Sequence, residues 1–229
     1  MANLLEVENL RKRYGERLIL DIPFLGLQAG ESYVLTGDNG SGKSTLLRIL
    51  AGLESCEIKR FDFEGRSVHL DHYPGWLRQQ VVYVHQHPYL FDTSIAHNIA
   101  YGLKARGLPA SEIHARVTEA IAWAGVEHLA NVRPNRLSGG EKQRVAIARV
   151  KVLNPRLYLF DEPTANLDEE GRNIVLELIR NLRRADNTVV AACHDRQIIG
   201  LPNMQRLKLS DGHLIIGAGT RGVTFEATG

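Results

Sequence analysis

At 229 residues the chain is long enough to bury a full core as one α/β domain, or one domain with a subdomain, so folding requires no oligomer. Its 28 basic and 26 acidic residues are interspersed and sum to +2, which excludes the basic footprint of a nucleic-acid binder. Two distant cysteines, Cys56 and Cys193, exclude a disulfide scaffold and structural zinc and point to a reduced compartment, and neither a signal peptide nor a run near ~18 apolar residues is present.

The first third alternates short extended runs with turns. Strands are expected at Leu4 to Glu8, Leu18 to Ile22, Ser32 to Thr36 and Ile58 to Phe63, the last ending at the Glu64-Gly65 turn, which resembles an antiparallel layer leading into a nucleotide-binding core. The short basic cluster Arg11-Lys12-Arg13 reads as a solvated strand edge. A helix is expected from Ser44 to Leu53, with Leu46, Leu47 and Leu50 on one face. After a β-rich run at Val81 to His85 the period becomes helical from about Ser94 to Arg149, with Ile113, Val117 and Ile121 at four-residue spacing, Pro109 as opener and Gly125 as C-terminal stop. Alternation returns at Leu157 to Phe160, followed by a helix from Asp168 to Arg184 and a strand at Thr188 to Ala192, a unit that implies parallel pairing. A hairpin around Ser210-Asp211-Gly212 and a Gly-rich tail complete the reading.

Chemistry concentrates first at Gly37-Asp38-Asn39-Gly40-Ser41-Gly42-Lys43-Ser44, which fits G-x-x-x-x-G-K-[ST] at every fixed position. A strand precedes it and a helix follows. Glycines let successive N–H groups turn inward to a β-phosphate, and the helix N-terminus adds about half a positive charge at the same spot. Lys43 then reaches the β- and γ-phosphates, and the Ser44 hydroxyl is a Mg²⁺ ligand. The alternative is an ordinary Gly-rich turn that contains a lysine. Asp161 and Glu162 stand at the end of an apolar strand, where one carboxylate can hold Mg²⁺ through water and the other polarise an attacking water; equally, carboxylates there can cap the next helix. Leu137-Ser138-Gly139-Gly140-Glu141-Lys142-Gln143-Arg144 sets a Ser and two Gly before a helical run, a second loop able to meet a phosphate.

From Tyr14 to about Gly212 the sequence resembles the ATP-binding cassette (ABC) family of ATPases, with Leu137 to Arg144 as the specific signature. The resemblance implies a P-loop core of RecA type with an antiparallel β layer and a helical subdomain, 1–229 forming a single ABC ATPase domain and 87–152 the inserted helices. It implies ATP and Mg²⁺ as cofactors. Tyr14 resembles the aromatic that stacks on adenine; Gly37, Asp38, Asn39, Gly40, Ser41, Gly42, Lys43, Ser44 and Thr45 would hold the phosphates. Gln86 resembles the glutamine that contacts Mg²⁺ along with Ser44 and Asp161 and links the site to the insertion. Glu162 and His194 would act on the water and the γ-phosphate, with Lys43 and Gln86 completing the catalytic set. Ser138, Gly139, Gly140 and Asp168 would meet the ATP of a second copy, making ATP the bridge of a head-to-tail homodimer. The family further implies integral membrane permease subunits as partners, a substrate-binding protein, no nucleic acid, and a cytoplasmic protein peripheral on the inner face of the membrane. Pro88-Tyr89-Leu90-Phe91 lies where that family receives a helix of the membrane subunit, with Leu90 and Phe91 as groove residues; the alternative is that both pack in the core of the insertion. The single cassette and the run Leu90 to Ala96 resemble importers of small oxyanions such as tungstate. The other reading is a soluble ABC ATPase acting on ribosomes or DNA. Departures from the usual pattern are Val150-Lys151 and the segment Arg196 to Pro202, and no C-terminal regulatory domain of the kind some importer ATPases carry is expected. The remaining histidine pairs, His85 with His87 and His69 with His72, lack the companions a metal site needs.

Overall fold

Residues 3–184 and 187–216 are described by the structure, a computed structural model; the expected Gly-rich tail lies outside them. The chain divides into two compact units, one of residues 1–83, 156–161 and 182–229, the other of 84–155 and 162–181.

In the first unit, β1 (Asn3–Tyr14) and β2 (Arg17–Gln28) form a long antiparallel ribbon, extended to β4 (Arg60–Phe63) and β5 (Arg66–Ser67) in the order β2-β1-β4-β5. β1 outruns the expected Leu4 to Glu8. Asn9 takes a positive φ of 52°, so the buried alternation moves from Leu5 and Val7 to Leu10 and the period-2 pattern breaks while the strand continues. The second sheet runs β10-β9-β3-β8-β7-β6, built from β3 (Ser32–Thr36), β6 (Val81–Val84), β7 (Leu157–Asp161), β8 (Thr188–Ala192), β9 (Met204–Ser210) and β10 (His213–Ile216). β3, β7, β8 and β9 pair in parallel and β9 with β10 is an antiparallel hairpin. The central strands β3, β7 and β8 are buried nearly end to end, as a parallel sheet covered on both faces demands. Between the strands lies α1 (Lys43–Leu50), which packs Leu46, Leu47, Ile49 and Leu50 into a core shared with Leu5, Leu20, Phe61, Leu159 and Val190. A short helix, α2 (Gly75–Arg78), precedes β6. The Arg196 to Pro202 segment forms only the one-turn α7 (Arg196–Ile199), capped by Asp195.

In the second unit, α3 (Ile95–Ala105), α4 (Ala110–Trp123) and α5 (Gly139–Lys151) bury Ile95, Ile99, Leu103, Val117, Ile121, Val145 and Ala148 together. Pro109 caps α4, and Gly125, at φ 63°, follows its end as expected. The unusual Lys151 has a structural partner: its ammonium lies 5.1 Å from the Trp123 ring centre and 3.0 Å from Glu119. α6 (Glu169–Arg184) begins in this unit, with Val175, Leu178 and Ile179 buried.

Candidate functional site

The loop between β3 and α1 folds as its sequence predicts, and two of its glycines are obligatory. At Gly37, φ 150°, a Cβ would lie 2.2 Å from the Leu209 carbonyl oxygen; at Gly42, φ 103°, it would lie 2.8 Å from Leu20 Cδ2. Asp38, Asn39 and Gly40 are exposed at the turn, closed by Ser41 N–H donating to the Asp38 carbonyl at 3.1 Å. The Ser41 hydroxyl is buried without a partner, an orphaned polar group within the loop. Such a cradle fits a phosphate.

Lys43, only 7% exposed, sets its ammonium 2.8 Å from the Gly37 carbonyl, 3.2 Å from that of Asp38 and 3.1 Å from His194 Nε2. An ammonium donates only, so Nε2 is the accepting atom of this contact. His194, just beyond β8, is therefore brought to the phosphate loop across 151 residues of sequence. Ser44 Oγ donates to Asp161 Oδ1 at 2.9 Å, and Thr45 is buried behind it. Asp161, 4% exposed at the end of β7, accepts at its other oxygen from Tyr83 Oη at 2.7 Å. Burial first, then this bond, pushes the Tyr83 phenol well above its ordinary value, so it stays a neutral donor. Tyr83 was invisible to motif reading; its place in the strand before Gln86 was the only signal. The donor set suits Mg²⁺: a hydroxyl with a carboxylate behind it matches an ion that keeps its waters and leans on phosphate oxygens.

Tyr14 ends β1 with an exposed ring. Lys12 is not the solvated edge residue expected of its cluster: it is largely covered, with its ammonium 2.6 Å from the Ser55 carbonyl and 3.2 Å from Glu54. Arg11, by contrast, is open and pairs with Asp21 at 3.0 Å.

The remaining predicted residues belong to the second unit. Gln86 is half-buried two residues beyond β6. Glu162 takes φ 45°, a left-handed backbone that costs a non-glycine residue free energy and marks a site held by its surroundings. The capping role open to the strand-end carboxylates falls instead to Asp168, whose Oδ1 accepts from Gly171 N–H at 2.8 Å as α6 begins. Ser138 caps α5 in a reciprocal box: its hydroxyl accepts from Glu141 N–H at 3.3 Å and its N–H donates to Glu141 Oε2 at 2.7 Å. That backbone bond above all holds the Glu141 carboxyl below the usual range. A Cβ at Gly140 would stand 3.4 Å from the Gly171 Cα, ordinary van der Waals contact, so the signature loop lies against the start of α6.

Leu90 belongs to the buried core cluster with Ile99 and Leu103, which favours the core alternative over the groove. Exposed instead are Tyr89 and Tyr101, at 72% and 55%. Between them Phe91 meets both rings, at centroid separations of 5.6 and 4.5 Å, under the Arg149 guanidinium.

A parallel sheet, a glycine loop with its lysine and a strand-end aspartate bonded to the following serine define a P-loop nucleotide-binding protein. The family described as ABC transporter matches residues 21–165, and the chain belongs to it. It is 36% identical over 220 residues to the Escherichia coli cell division ATP-binding protein FtsE, covering 94% of this chain and 99% of that one. The Escherichia coli Fe(3+) ions import ATP-binding protein FbpC is 34% identical over 215 residues, 93% of this chain and 61% of its own length. A solved structure of cbiO1 from Clostridium perfringens, described as part of the ABC transporter complex cbiONQ, superposes with a TM-score of 0.82 at 31% identity, covering 93% of this chain and 87% of that one. The fold is accordingly that of an ABC ATPase, and the chain binds ATP.

Proposed function

We propose that the chain is the ATP-hydrolysing subunit of a membrane transporter and works as a head-to-tail pair bridged by ATP. The observation that carries this reading is the presence of two phosphate-ready loops on two separate units, Gly37 to Ser44 and Ser138 to Gly140, each tied by a hydrogen bond between its backbone and a neighbouring side chain. One copy supplies the first loop and its partner the second. Residues 87–152 form the helical subdomain that carries the second loop.

Within the phosphate loop, binding redirects Lys43 from its two carbonyls to the β- and γ-phosphates, and the Ser41 hydroxyl gains an acceptor. Tyr14 supplies the platform for the adenine. Ser44, Asp161 and Gln86 would hold Mg²⁺, which when bound neutralises charge on the phosphate oxygens. Glu162 takes the proton of the water as its oxygen bonds to the γ-phosphorus; the bond to the bridging oxygen breaks and its electron pair stays with ADP. His194, anchored at Lys43, orients the γ-phosphate. Loss of that phosphate removes the bridge, and the difference in contacts between ATP and ADP states drives separation.

The partners are membrane permease subunits, met through the aromatic face of Tyr89, Phe91 and Tyr101, and a substrate-binding protein where the transporter imports. The pair then sits on the inner face of the membrane; among the described residues no helix is long and apolar enough to cross it. A small oxyanion is the cargo favoured by the run Leu90 to Ala96. The FtsE likeness, which runs end to end, supports a second reading in which the same engine drives a partner in cell division. ATP hydrolysis by the purified chain, absent in Lys43→Ala, tests the shared core of both; hydrolysis persisting in that variant would refute it.

A further inference from the structure

Tyr14 is held by groups drawn from three parts of the first unit. The β1–β2 register shifts between Lys12 and Arg13, immediately before the tyrosine, and such an irregularity re-aims the side chains that follow it. The Lys12 ammonium lies 5.1 Å from the centre of the Tyr14 ring and covers one face. The phenol donates a hydrogen bond to Glu54 Oε1. That same oxygen lies 3.2 Å from the Lys12 ammonium, and Oε2 accepts from Arg48 Nε at 2.9 Å. Burial disfavours the charge on Glu54, yet bonds from Tyr14, Arg48 and Lys12 outweigh it and hold the carboxyl below its ordinary range. Arg48 belongs to α1, the helix that opens at the phosphate loop. Through Glu54, the ring at the end of β1 is thus tied to the helix that carries the phosphate site.

We propose that Glu54 is a positioning residue for nucleotide recognition: by anchoring the Tyr14 hydroxyl and Lys12 to Arg48, it fixes the free face of the ring at a set distance from the phosphate loop, ready for the base. The inference rests on the reading of Tyr14 as the platform for adenine. Its physical content is preorganisation. A tyrosine left to rotate must be ordered when the base arrives, and immobilising one such side chain weakens binding by about three- to tenfold. The phosphate end should not feel the loss.

Titrating the full chain with ATP and, separately, with inorganic tripolyphosphate tests this. Glu54→Ala should weaken ATP by about three- to tenfold and leave tripolyphosphate unchanged. Tyr14→Phe, which keeps the ring and removes only the hydroxyl, should give the same pattern without disturbing the ion pairs around Arg48. In a Tyr14→Ala background, Glu54→Ala should have no further effect on ATP. Equal losses for ATP and tripolyphosphate would show Glu54 acting on α1 and overturn the inference, as would unchanged ATP affinity in Glu54→Ala. If Tyr14→Ala itself left ATP affinity intact, the base platform would fall; if it weakened ATP while Glu54→Ala did not, only the positioning role would.

Discussion

Tyr83→Phe removes one oxygen atom, and the structure says what that atom does. Asp161 is 4% exposed and has a donor at each oxygen, Ser44 at 2.9 Å and Tyr83 at 2.7 Å. Deleting the phenol leaves one oxygen of a buried carboxylate without this donor, and a hydrogen bond to a charged group contributes about 2 kcal/mol. For a chain of this size, that loss lowers the melting temperature by roughly 4–8 °C. The carboxylate also becomes free to rotate away from Ser44, so the Mg²⁺ requirement for nucleotide binding should rise several-fold while affinity for Mg²⁺-free ATP stays constant. Thermal melts and a Mg²⁺ titration of ATP binding read the two effects separately. Since the two donors hold the two oxygens of one carboxylate, Ser44→Ala and Tyr83→Phe should combine non-additively. A melting temperature within a degree of wild type together with an unchanged Mg²⁺ midpoint would refute the reasoning.

Ser138→Arg should leave the monomer's affinity for ATP unchanged and abolish ATP-induced pairing, measured by nucleotide titration and gel filtration side by side; loss of monomer binding would break the two-loop model. At the aromatic face, Tyr89→Ala with Tyr101→Ala should weaken co-purification with membrane partners by about 2 kcal/mol or more, roughly thirtyfold, at little cost in melting temperature. Leu90→Ala should do the opposite, costing about 2–5 kcal/mol of stability because it opens a cavity beside Ile99 and Leu103.

The phosphate loop was legible because its pattern is a backbone requirement: Gly37 and Gly42 stand where a side chain would collide, so sequence and geometry state the same constraint. The strands β3 and β8 were read to the residue, since a buried strand bounded by turn residues leaves little freedom in its ends. What escaped was pairs far apart in sequence that no motif marks. Tyr83 meets Asp161 across 78 residues, and Lys12 meets Glu54 across the gap between a strand and the end of α1, so neither pair leaves a periodic trace. Asp168 as helix cap could have been read from its place before Glu169 and Glu170, in the first turn of α6. Leu90 stayed open between groove and core because an apolar run carries no phase; Tyr101, two residues from the buried Ile99 and Leu103, was the better candidate for an exposed face on a helix.

The central claim is that ATP bridges two copies and that Glu162 ends the bridge. Glu162→Gln keeps the shape of the side chain but cannot take a proton, so hydrolysis should fall by about 10²–10⁴-fold with ATP binding intact. Gel filtration with light scattering, run with and without MgATP, measures the consequence directly. The account predicts that the variant shifts to twice the 25.5 kDa mass of the chain in MgATP and returns to the monomer mass in ADP. A variant that stays at the monomer mass in MgATP while binding it fully, or that hydrolyses at the wild-type rate, would contradict it.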